Sequence, residues 1–405
     1  VDEVARITAS MEQATGFPTV DRMHRFTAEI AEKHPATVSV SMLGSSKLGD
    51  PIHHVRVGDG ARQVVVIGSP HPNEPIGLLT IRQLIRVLAQ DTELRDALDA
   101  TWHFVPCADP DGTRLNEGWF DGPLTRDHVA RNFYRPPSDE QVEWTFPVHW
   151  RGRRIGAPIP ETRALMRLID ATRPQLIASL HNADFGGGFF YVAGRGDAGY
   201  YAALTALLDE AGIPLESGEP DAPGARALAP AVFEMPSFGA IAEAMGGPLL
   251  TGGSTMDYSA RYGSSVLISE LPLWIDHGPA RLDATHGQDL EFFTELLRPL
   301  RLSGRSPFER AITDALRWFR FSGGQVWPSV IRLRCAGMLL RLFADEPASP
   351  EIEAARATLT PVFERWCAEV AERAPGTLVP PHRLAGVQAG AIVTAVTRLR
   401  DGLPV

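Results

Sequence analysis

Three positions in this 405-residue chain combine residue types that suit catalysis with a shared placement after short apolar runs: His71-Pro72-Asn73-Glu74, His181 and Glu270. His71 lies two residues past the run Gln63 to Ser69, His181 directly follows Leu176 to Leu180, and Glu270 directly follows Ser265 to Ser269. Zinc favours imidazole nitrogen and carboxylate oxygen, and a catalytic site takes three protein ligands while leaving a position for water. His71, Glu74 and His181 supply that set. Glu270 is then the group that takes a proton from the zinc-bound water and later returns it to the leaving amine. The expected chemistry is hydrolysis assisted by one zinc ion. His181-Asn182-Ala183-Asp184 offers a competing His-x-x-Asp, and a four-residue motif alone is weak. The joint placement at strand ends carries the reading.

The elements that must position these residues follow from periodicity. Val20 to Lys33 reads as an amphipathic helix, and Asp50 to Val57 alternates like an edge strand, with His53 and His54 facing solvent. Gln63 to Ser69 is a continuous apolar run bounded by Gly60 and Pro70, as expected for a strand covered on both faces. A helix begins near Pro75, since Leu78, Ile81, Ile85 and Leu88 fall at helical spacing. Further strands are expected at Trp102 to Pro106, Leu176 to Leu180, Gly188 to Ala193 and Ser265 to Ser269, with helices at Glu161 to Thr172 and Tyr200 to Glu210 between them. Such alternation predicts a three-layer α/β sandwich. Ligands of open α/β sheets bind beyond the carboxyl ends of the strands, which places all three strand ends on one crevice. Stretches rich in Pro and Gly at Pro214 to Pro230 and Pro236 to Gly253 predict long loops over the site.

From about Arg305 the texture changes. Ser306-Pro307-Phe308-Glu309 has the form of a capping box, and helices are expected near Phe308 to Arg320, Ser329 to Ala344, Pro350 to Arg373 and Leu384 to Arg400. The division expected is a catalytic domain over 1–304 and a helical C-terminal domain over 305–405.

Composition narrows the partners. The formal net charge is −10 with no basic run, so the stripe that neutralises phosphates in a nucleic-acid binder is missing. No run of about 18 apolar residues predicts a membrane span. The three cysteines, Cys107, Cys335 and Cys367, are widely spaced in apolar surroundings, which suits buried reduced thiols and a cytoplasmic location. The first residues lack the basic start and apolar centre of a signal peptide, although the chain starts without Met and trimming of a leader stays open. Gly186-Gly187-Gly188 lacks the features of a phosphate loop, and no Gly-x-Ser-x-Gly elbow marks a serine hydrolase.

Taken in order, His71-Pro72-Asn73-Glu74-Pro75-Ile76-Gly77, Asp109-Pro110-Asp111-Gly112, Arg131-Asn132-Phe133, Ser179-Leu180-His181-Asn182, Gly252-Gly253-Ser254 with Asp257-Tyr258, and Ile268-Ser269-Glu270 resemble the motif set of the zinc carboxypeptidase A-like family. The resemblance spans about residues 20 to 300. It implies a mixed, mostly parallel eight-stranded sheet with helices on both faces, one zinc ion, and hydrolysis of a C-terminal peptide or related amide bond. It assigns His71, Glu74 and His181 as ligands and Glu270 as general base. It also matches Arg131, with Asn132 beside it, to the arginine that holds a substrate carboxylate, a task suited to a planar guanidinium. A second arginine, for which Arg114 is the first choice ahead of Arg126 and Arg135, would polarise the scissile carbonyl. Thr255 and Met256 correspond to residues lining the specificity pocket and suggest a neutral or apolar side chain.

Two departures from the family pattern bear on substrate. Ala130 stands where Asn commonly precedes the carboxylate-binding arginine, and Phe238 to Thr251 contains no counterpart of the family's mobile tyrosine. Tyr258 and Tyr262 are alternatives for that role. The leading expectation is therefore a metallocarboxypeptidase acting on a short peptide or peptide-like small molecule. The second is a zinc amidase or deacylase acting on a small N-acyl amino acid or peptide conjugate. A catalytically dead binding protein is the third, and retention of all four metal and base residues argues against it.

Overall fold

The computed structural model describes residues 2–183, 186–217, 222–248, 250–276, 286–321 and 328–405, and only the backbone of 286–287, 319–321 and 328–329. Contacts group the chain into two units. The first comprises 1–114, 139–275 and 378–405, and the second 115–138 and 276–377. Chain contacts thus divide the protein along different lines from the sequence segments 1–304 and 305–405.

The first unit is built on one mixed sheet. Its strands are β1 (Val38–Ser45), β2 (Pro51–Val57), β3 (Arg62–Ile67), β4 (Ala100–Val105), β7 (Leu176–His181), β8 (Phe189–Ala193), β9 (Arg226–Ala229), β10 (Val232–Glu234) and β11 (Ser265–Glu270); β5 (Val148–Trp150) and β6 (Arg153–Ile155) form a separate hairpin. The nine strands lie in the order β1-β2-β4-β3-β7-β11-β8-β10-β9. Strands β1, β3, β4, β7, β9 and β11 run one way, and β2, β8 and β10 the other. The sheet is thus mixed and mostly parallel, with nine strands where eight were expected.

Burial explains why the central strands read so clearly. Every residue of β4 and β7 and the last four of β3 are buried, so an apolar run with no polar alternation is what those positions require. Successive side chains point to opposite faces. On one face Val65, Ile67 and Ile177 pack with Leu165, Leu168 and Ile169 of the helix Pro160–Thr172. On the other face the helices Ile76–Gln90, Ala198–Glu210 and Pro381–Arg400 pack together. Gly77 allows a close approach there, because a Cβ on it would lie 3.0 Å from Leu180 Cβ and 3.1 Å from Gly68 Cα. The helix Pro381–Arg400 is buried without interruption from Leu384 to Val396, which its Ala- and Gly-rich sequence allows by letting backbones approach closely.

Several expectations change. Strand β2 is not an edge strand, because β1 pairs outside it. His53 and His54 are accordingly partly buried rather than solvent-facing. His53 stacks on His24 with ring centroids 4.1 Å apart, and His54 Nε2 lies 2.9 Å from His103 Nδ1. Burial pushes the pKa of both His54 and His103 down to about 4. The stretch 214–230, expected as loop, contributes β9, an outer strand whose side chains are exposed or half-buried and so leave no apolar run. The stretch 236–253 carries the helix Phe238–Ala244, started by Ser237, whose Oγ accepts from Ala240 N.

The second unit is helical. Pro307–Phe321, Pro328–Asp345 and Pro350–Arg373 pack around Phe308, Leu339, Leu359 and Phe363, with the short helix Arg126–Arg131 against the second of them. No described helix is long and apolar enough to cross a membrane. The three cysteines are buried thiols outside any disulfide, as expected.

Candidate metal centre

After β3 the chain turns sharply. Ser69 adopts a left-handed backbone with φ of 50°. A residue with a Cβ pays roughly 1–2 kcal/mol for that conformation. Such local strain concentrates at functional sites. The turn is tied down by Ser69 Oγ, 3.0 Å from Thr113 Oγ1. It delivers His71 and Glu74 into the interior, where each is about 5% exposed or less. Glu74 N donates to His71 O across the turn at 3.0 Å. The helix Ile76–Gln90 then begins with no side-chain cap from Pro75, and Asn182 Oδ1 accepts from Ile76 N at 3.2 Å instead. One residue after His181 thus secures the helix that follows Glu74.

The other two groups come from neighbouring parallel strands. His181 ends β7 and Glu270 ends β11, and the two are directly paired in register. His181 Nδ1 lies 2.9 Å from Glu74 Oε2 and 3.8 Å from Glu270 Oε1. The rings of His71 and His181 meet edge to face with centroids 5.0 Å apart. The ligand atoms of His71, Glu74 and His181 all lie within 4.8 Å of one another, and this is the group of three or more His, Cys, Asp or Glu found among the described residues that can hold a metal ion.

The electrostatics also call for a cation. Burial is the strongest influence on His181 and disfavours its charged form. The hydrogen bond to Glu74 and the charges of Glu270, Glu74 and Glu143 together outweigh it and raise the pKa to about 9. A bound divalent ion would take over that positive role. Two imidazoles and a carboxylate, buried and converging, are the donor set of a catalytic zinc site, so the residues present fit that metal.

Three side chains to which the sequence assigned no role complete this environment. Glu143, 4% exposed, accepts from Ser179 Oγ at 2.8 Å and from Thr255 N and Oγ1 at 2.9 and 2.5 Å. Ser179 Oγ lies 3.0 Å from His181 Nε2. Gln388, fully buried, donates to His181 O at 2.9 Å and accepts from Thr80 Oγ1 at 2.7 Å. Ser179 had a signal, since it sits two residues before His181 and therefore on the same strand face. Glu143 and Gln388 had none, because only tertiary folding brings them near.

The remaining sequence candidates fall in different places. Thr255 is buried beside Glu143, and Met256 is partly buried against the core next to it. Arg114 is held by Asp50, with Nε 2.6 Å from Oδ2, and by Asp21 at 2.7 Å. Arg131 and Asn132 belong to the second unit. There Arg131 forks onto both oxygens of Glu364 at 2.7 Å, with its guanidinium 5.0 Å from the Phe363 ring centre. Asn132 Nδ2 donates to His128 O at 3.0 Å. Arg126, in the same unit, is buried and pairs with Asp276 at 2.7 Å, and Arg135 is partly buried. Asp257 caps the helix Thr255–Ser259 in a capping box with Ser254. Tyr258 and Tyr262 both donate to Asp170. Asp184, the competing acid, lies outside the described residues.

No curated protein matches the chain. Among solved structures it is similar to carboxypeptidase A from Helicoverpa armigera, with 15% identity, a TM-score of 0.46, and 82% of this chain and 78% of that one covered. It is also similar to bovine thrombin-activatable fibrinolysis inhibitor in complex with tick carboxypeptidase inhibitor (12% identity, TM-score 0.42, 62% of this chain and 86% of that one). A metallo-carboxypeptidase from Burkholderia cenocepacia aligns with 18% identity, a TM-score of 0.38, and 63% and 60% coverage. The family model for zinc carboxypeptidases matches residues 23–193, the segment that holds His71, Glu74 and His181.

Proposed function

We propose that the protein is a zinc-dependent metallocarboxypeptidase that hydrolyses a C-terminal peptide or peptide-like amide bond. His71, Glu74 and His181 would hold one zinc ion, and Glu270 would act as general base and then general acid. The observation that carries this reading is the register pairing of Glu270 with His181, which sets a carboxylate 3.8 Å from a ligand nitrogen of the three-residue group. Zinc bound there supplies Lewis acidity and lowers the pKa of water.

The chain's own residues supply the proton handling. Glu270 is the most open carboxylate of the site, its side chain 13% exposed against 7% for Glu74 and 6% for Glu143. It is thus the one placed to meet substrate and solvent. It takes a proton from the attacking water and delivers it to the departing nitrogen. Thr255 and Met256 are assigned to the substrate side-chain pocket, and Arg131 with Asn132 to the substrate carboxylate. Arg114, engaged by two carboxylates, would have to leave them to polarise a carbonyl. The three buried cysteines, none of them in a disulfide, support a reducing, cytoplasmic setting.

The amidase or deacylase reading is favoured by one specific observation. The fork of Arg131 is filled by Glu364, so a substrate carboxylate would have to displace that partner. Blocked dipeptides with and without a free terminal carboxylate separate the two readings. Cleavage of the free acid alone supports the carboxypeptidase. Equal cleavage of acid and amide rejects anchoring by Arg131, and a zinc-loaded protein that cleaves neither peptides nor N-acyl amino acids rejects both.

A further inference from the structure

We infer that Glu143, acting through Ser179, orients His181 for metal binding and ties that ligand to the Thr255 segment; the inference rests on the zinc reading above. Hydrogen-bond direction makes the relay specific. A carboxylate only accepts, so the Ser179 hydroxyl, 2.8 Å from Glu143 Oε1, must donate to it. The same hydroxyl can then only accept from His181 Nε2, 3.0 Å away, which requires the proton on that nitrogen. The Nδ1 lone pair is left for the metal, on the side where Glu74 lies at 2.9 Å. Metal-binding histidines usually donate their second ring N–H to a carboxylate or a carbonyl, and here a serine hydroxyl spans the 4.0 Å between His181 Nε2 and Glu143 Oε1.

The other oxygen of Glu143 gives the relay its second function. It accepts from both the backbone and the hydroxyl of Thr255, the first residue of the helix Thr255–Ser259. One buried carboxylate therefore fixes a metal ligand on β7 and the start of a helix 74 positions further along the chain from His181 (255 − 181). Glu143 is a positioning residue: it acts on the metal through two intermediaries.

The test measures zinc affinity by chelator competition on the full chain for the wild type, Ser179→Ala, Glu143→Gln and the double variant, each checked for folding by circular dichroism. Each single variant is expected to weaken zinc binding about 10–100-fold, and the double variant no more than the weaker-binding single, because both cut the same relay. Folded variants that bind zinc within threefold of the wild type overturn the inference, as do losses that simply multiply. A wild type that binds no zinc fails the functional reading itself, a distinct outcome. Should the variants not fold, nitrogen NMR of the zinc-loaded wild type with labelled histidine decides. A proton on His181 Nε2 supports the relay, and a proton on Nδ1 overturns it.

Discussion

Glu270 and His181 stand side by side at the ends of β11 and β7, paired residue to residue in a parallel ladder although 89 positions (270 − 181) separate them in the chain. Register therefore sets the spacing between proposed base and ligand, and neither loop conformation nor helix packing is needed to create it. Glu74 joins them from the turn after β3, which also pairs with β7.

Glu270→Gln preserves the volume of the side chain and removes its ability to take a proton. The variant should retain zinc, measured by metal analysis, while kcat falls about 10²–10⁴-fold, the usual contribution of general acid–base catalysis. Full activity in that variant would reassign the base.

His71→Ala removes one of three proposed ligands from a buried site. Zinc content of the purified variant should fall well below one equivalent per chain, with the wild type losing activity to a chelator and regaining it on zinc addition. Stoichiometric zinc in the variant would place the metal elsewhere.

Asp109 is buried, and this burial, reinforced by the charges of Glu161, Asp111 and Glu140, raises its pKa to about 8, against an opposing hydrogen bond from Gly112 N. The folded form thus keeps a proton that the unfolded chain releases above about pH 4. Between about pH 4 and 8 the folded state binds more protons, so Asp109 makes stability fall as pH rises, by on the order of 1 kcal/mol per pH unit at most. Asp109→Asn should remove that slope. Urea unfolding at pH 5 and pH 8 checks this, and parallel wild-type and variant profiles would contradict it.

Gln388→Leu removes a donor to His181 O and one of the two acceptors of Thr80 Oγ1, which also reaches Ile76 O at 3.1 Å, in a fully buried setting. Unsatisfied buried groups cost about 1–3 kcal/mol each. The variant should unfold at clearly lower denaturant concentration than the wild type, and an unchanged midpoint would show that these bonds contribute nothing net.

How much of this was legible in the sequence depends on the range of the physics involved. Strands buried on both faces must be apolar throughout, and helices must repeat every three to four residues, so β3, β4, β7, β8 and β11 and the helices Val20–Lys33 and Ile76–Gln90 are written in local pattern. The strand ends also name His71, Glu74, His181 and Glu270, because a parallel sheet gathers its carboxyl ends on one edge. Strands β1 and β9 were less legible, since half-exposed strands carry little apolar signal. Tertiary structure alone decided the charge partners: Arg114 meets Asp50, Arg131 meets Glu364, and Glu143 reaches Ser179 and Thr255. A charged side chain takes its meaning from whatever opposite charge or hydrogen-bond donor the fold brings within about 3 Å of it, and no local periodicity records that meeting.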